Sequence, residues 1–147
     1  MNAEFDFKNY GQAMAQSLFA DRVLMALAKH ESQMRVTEQD LEFLKRSKQF
    51  LSDAVEMVTV VQPDFLSERS ITLAEMFEQV AGAMPVSLHS KADFTGYAER
   101  LQNTIESILN GPGPETADFE AVCTFFSNYG ARQFKRSQEI IGTSHGF

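Results

Sequence analysis

Three histidines, one cysteine and a glycine–proline run are the residues of this chain whose types could carry chemistry. A metal site in a helical bundle needs carboxylates and imidazoles repeated three or four residues apart on inward faces. Glu75 and Glu78 have that spacing, yet both fall on the polar side of their segment and no histidine follows at the matching offset. His30 falls on the apolar side of the first segment near its end, where it suits a carbonyl cap or the core. His145 belongs to the C-terminal tail. His89 lies in a linker between Pro85 and Ser90, whereas a haem ligand belongs on a helix facing a pocket. The stretch Ser87-Leu88-His89-Ser90-Lys91 also lacks the histidine-then-lysine spacing of phosphorelay transfer domains.

Nucleophiles fare no better. Cys123 is flanked by Val122, Phe125 and Phe126 on an apolar stripe, where a thiol behaves as a small hydrophobe of raised pKa. The serines cluster at helix starts, where capping explains them. Gly111-Pro112-Gly113-Pro114 cannot cradle phosphate, because its two prolines carry no backbone N–H. The sequence therefore predicts no catalytic residue, no metal ligand and no cofactor.

Composition narrows the class further. The 147 residues are 44% hydrophobic and 22% charged, which suits one ordinary folded domain. Thirteen phenylalanines against three tyrosines and no tryptophan favour a dry core. A net charge of −7, dispersed along the chain, argues against direct nucleic-acid binding, which is carried by Lys and Arg. The one basic cluster, Arg132, Lys135 and Arg136, suits the C-terminal end of a helix dipole. A single cysteine excludes an intrachain disulfide and points to a reducing compartment. No basic stretch leads into an apolar run at the N-terminus, and no window is apolar enough to span a membrane. A cytoplasmic location is the expectation.

The elements follow from periodicity and caps. Asp6 opens a first helix to about Ser32, and Thr37 with Asp40 forms a capping box for a second that Pro63 ends near Val61. On that second helix Leu41, Phe43, Leu44, Phe50, Leu51, Ala54, Val55, Met57, Val58 and Val61 cover roughly 200° of the circumference. A surface helix needs only about 100°, so this one is expected to have neighbours on both flanks. A loop over Pro63–Ile71 precedes a short helix from Thr72 to Met84, and Ser90 caps a third long helix ending before Gly111. Gly111 suits a left-handed terminator and Pro114 the first position of a last helix to Ile141. Gly130 sits mid-stripe there, tolerable where another helix comes close. The fold class is all-α: a single-domain bundle of about five helices, four long and one short, with loose ends at 1–5 and 142–147.

Function is sought in excess surface. On the first helix Phe19, Val23, Ala26 and Leu27 face one way, while Phe7, Tyr10, Met14, Leu18, Met25 and Ala28 face nearly the other. A helix apolar on two sides is internal or has one side committed to another chain. The leading expectation is a non-enzymatic protein-interaction or regulatory module, a homodimer through Tyr10, Met14, Leu18 and Met25. The alternatives are a bundle enclosing a lipid or tetrapyrrole between Phe- and Met-rich helices, and an acidic inhibitor of a basic partner.

Overall fold

The first helix starts at a carboxylate. Asp6 accepts the Asn9 backbone N–H on Oδ1 at 3.0 Å and the Asn9 side-chain amide on Oδ2 at 2.6 Å, filling donors that an opening turn leaves bare. The backbone bond, then the side-chain bond, holds the Asp6 carboxyl below its usual range. This is a computed structural model, and it describes residues 6–60, 80, 83, 91–111 and 113–144. α1 spans Phe7–Glu31. It closes with Gln33 donating to the His30 carbonyl at 3.2 Å and Met34 to the Lys29 carbonyl at 2.9 Å. Gln33 takes φ 58°, the left-handed position more often given to glycine.

α2 spans Glu38–Val60. Its capping box is complete: the Asp40 N–H donates to Thr37 Oγ1 at 3.1 Å, and the Thr37 N–H donates to Asp40 Oδ2 at 2.9 Å. Lys29 reaches the same carboxylate oxygen at 2.8 Å, tying α1 to α2. That bond, reinforced by the Thr37 N–H, holds the Asp40 pKa down at about 2.

α3 spans Lys91–Asn110 and α4 spans Thr116–Ser144. In the turn between them the left-handed residue is Gly113, at φ 98°, and not Gly111. Gly111 serves by its lack of a Cβ, which would meet the Ser107 carbonyl oxygen at 3.0 Å. Helical bonding begins with Phe119 donating to the Glu115 carbonyl, so α4 opens after Pro114 and not on it. It also continues three residues past the expected end at Ile141. The described residues are all-helical, with four long helices. The expected short helix over 72–84 lies outside them, except for Val80 and Ala83, which are helical and fully buried. The residues 1–5, 63–71 and 145–147 also lie outside.

The four helices share one core. α2 packs against α1 on one side and α3 on the other, as its wide apolar face requires. At the centre Phe50 of α2 lies 4.9 Å from the Tyr129 ring and 6.4 Å from Phe126. Phe19 of α1 joins them at 5.9 Å from Phe50. The most extensive contact, however, is between α1 and α4. The last helix buries most of its apolar face against the first.

Candidate functional site

Close approach of α1 and α4 has a cause in side-chain size. A Cβ added to Gly130 would sit 3.0 Å from the Ala20 Cβ and 3.9 Å from the Ser17 carbonyl oxygen. Ala13, Ser17 and Ala20 recur every three or four residues and are buried along this seam. The small residues of α1 thus lie under α4, and its large ones turn either into the core or outward. The Tyr129 hydroxyl donates to Gln16 Oε1 at 3.4 Å, and burial pushes its pKa up to about 12. Ser137 is buried and donates back to the Phe134 carbonyl at 2.6 Å. Gln133 is 2% exposed, and its Oε1 has no hydrogen-bond partner among the described residues.

The outward set is the one the sequence singles out. Leu18 is 57% exposed and Met25 49%, with Tyr10 and Met14 half-buried beside them. Between Gly11 and Met25 the helix carries only two charges, Asp21 and Arg22.

α4 adds a residue that the sequence places elsewhere. Phe134 shares the apolar half of the last helix's wheel with Phe126 and Gly130, yet it is 50% exposed. It lies one turn beyond Gly130, roughly 40° further round the helix, which puts it at the margin of the seam. The Ala20–Gly130 approach and the His30–Phe119 ring contact at 6.1 Å set an antiparallel register. In that register Phe134 stands level with Gln16 and Ser17, on the flank of α4 bordering α1. Every exposed large hydrophobic among the described residues belongs to α1, the turn after it, or α4.

The other chemistry-bearing residues are not gathered. His30 stands half-buried against Phe119. Cys123 is half-buried, its thiol pKa raised by desolvation and then by Glu31 and Glu120. Arg132, Lys135 and Arg136 sit mid-helix, because α4 runs on to Ser144, so they do not cap its dipole as expected. His89, His145, Glu75 and Glu78 lie outside the described residues. Among the described residues no three of His, Cys, Asp and Glu come together as a metal site. An open polar groove of about 410 Å³ follows the outside of α3, lined by Glu99, Arg100, Asn103 and Asp118. Arg100 Nε is already committed there to Asp118 Oδ1 at 2.7 Å.

The described residues form an all-α bundle whose exposed large hydrophobics lie on α1, the turn after it and α4, and no described helix is long and apolar enough to cross a membrane. Comparison with protein-family models, curated proteins and solved structures finds no match for the chain.

Proposed function

We propose that this chain is a cytoplasmic, non-enzymatic interaction module that associates with itself through the outer side of α1. One observation carries the reading: Leu18 and Met25 stay about half-exposed on the outer side of α1, and Phe134 of α4 is half-exposed as well. Large apolar side chains left exposed on one side of a helix are a recurrent mark of an interaction site. Tyr10 and Met14 border the same side. The −7 charge keeps the remaining surface soluble and mutually repelling, which leaves this face as the one where two copies meet at low electrostatic cost.

Sedimentation velocity on the wild type and on Leu18→Glu with Phe134→Glu tests the proposal. The wild type is expected to double in mass with rising concentration, and the variant to stay single. Equal behaviour of the two would overturn it. Native mass spectrometry of the same sample checks the alternative, since a retained species of a few hundred daltons (roughly lipid or tetrapyrrole size) would favour an enclosed ligand.

A further inference from the structure

We propose that the α1–α4 seam holds one buried water molecule, bound by the Tyr129 hydroxyl, Gln16 and Gln133. The site belongs to a single copy of the chain and does not depend on association.

Buried polar side chains must find hydrogen bonds, and several of those in this core settle the matter locally. Ser47, Thr104 and Ser137 are buried, and each donates its hydroxyl to a carbonyl of its own helix at 2.6 to 2.8 Å. Gln133 has no such outlet. It is 2% exposed, and its Oε1 has no partner among the described residues, so the oxygen gives up hydration without compensation. One turn back along α4, Tyr129 is 3% exposed. Its hydroxyl reaches Gln16 Oε1 at 3.4 Å, a long contact where O–H···O bonds run to about 2.7–2.8 Å. Burial pushes the Tyr129 pKa up to about 12, so at neutral pH the hydroxyl keeps its proton and donates.

These groups share one stretch of the seam. Tyr129 and Gln133 are four residues apart on α4, hence neighbours on one face. The antiparallel register set by Ala20 with Gly130 and by His30 with Phe119 brings Gln16 level with Gln133, and the Gln16 side chain runs to Tyr129. One turn to either side of Gln16 on α1 stand Ala13 and Ala20, both fully buried, so short side chains border the amides. The guest must accept one hydrogen bond, from Tyr129, and donate two, to Gln133 Oε1 and to Gln16 Oε1. Water does both and makes about three hydrogen bonds in its usual buried sites. A cation would serve the two oxygens but offers no acceptor for the Tyr129 proton. A water in the middle also relieves the stretched Tyr129–Gln16 contact by bridging it.

The sign of one substitution tests the site. Gln133→Met keeps the length of the side chain and removes the oxygen. With no water bound, the change relieves an unsatisfied group and raises the urea midpoint of unfolding. With the water bound, it strips that water of an acceptor, and the midpoint is expected to fall by roughly half a molar. A midpoint that rises or stays put overturns the proposal. Water-selective ROE spectra of the wild type give a second reading that needs no variant to fold. The Gln133 γ-methylene protons are bound to carbon and do not exchange, so a dipolar cross-peak from them to the water line is expected. Its absence would overturn the site. So would a crystal structure in which Gln133 Oε1 accepts directly from a protein N–H or O–H.

Discussion

The bundle is made of two helix pairs that solve packing differently. α2 and α3 meet through large side chains, Leu44 and Leu51 on one helix and Leu101 and Ile105 on the other, all fully buried. Lys48 bridges to Glu106 across that pair at 2.7 Å, and among the residues whose burial is described, every exposed one on α2 and α3 is polar or glycine. α1 and α4 meet through Ala13, Ser17, Ala20 and Gly130, and leave Leu18, Met25 and Phe134 outside. A helix that turns its small residues inward has its large ones left over. Among the described residues the first pair leaves no large apolar side chain exposed, and the second leaves four: Phe7, Leu18, Met25 and Phe134.

Removing a large group from the α1–α4 side of the core should break that contrast most strongly. Phe126 is fully buried and touches Phe19, Phe50 and Phe125, so Phe126→Ala is expected to cost about 3–5 kcal/mol in denaturant unfolding. Gly130→Leu probes the seam itself. It must push Ala20 away and should cost about 1–3 kcal/mol. Gly96 of α3 has nothing within 4 Å of a Cβ, and there Gly96→Ala should gain about 1 kcal/mol through helix propensity. Opposite signs at two mid-helix glycines would sharpen the comparison, and equal signs would end it.

Acid acts on the ties that join α2 to α1 and to α3. Both linking carboxylates have lowered pKa values, Asp40 first through Lys29 and Glu106 first through Lys48. A depressed carboxylate stabilises above its unfolded value and loses that contribution as pH falls through its folded one. Asp40→Asn should therefore flatten the acid limb of the stability curve between 3.8 and about 2. Glu106→Gln should flatten the acid limb in the same direction, from about 4.5 downward. The smallest effect on folding belongs to Leu18→Lys, within about 0.5 kcal/mol because the site is exposed. The same variant should abolish association, whereas Glu42→Lys on α2 should not.

What the sequence shows are the features decided within one turn of chain. The caps at Asp6 and at Thr37 with Asp40 depend on residues three apart, and they form as read. The two-sided first helix is equally local, since spacing alone separates Leu18 and Met25 from Val23 and Leu27. Pairing of α1 with α4 is not local: Gln16 and Tyr129 are 113 residues apart. Phe134 was misplaced for that reason. A helical wheel gives its angle beside Gly130, but only the position of α1 decides where the buried stripe stops. The turn after α3 shows the same limit at short range, because two glycines offer themselves for one left-handed position and Gly113 takes it, while Gly111 is held beside Ser107.

The most direct test is methyl NMR of the wild-type chain diluted from about 1 mM to about 1 μM, following the methionine ε-methyls. Met25 lies in the outer row of α1, while Met34 is 62% exposed in the turn beyond it and serves as the internal control. A Met25 signal that moves or broadens with concentration while Met34 stays fixed is the expected result. Both signals unchanged across the whole range would contradict association through α1.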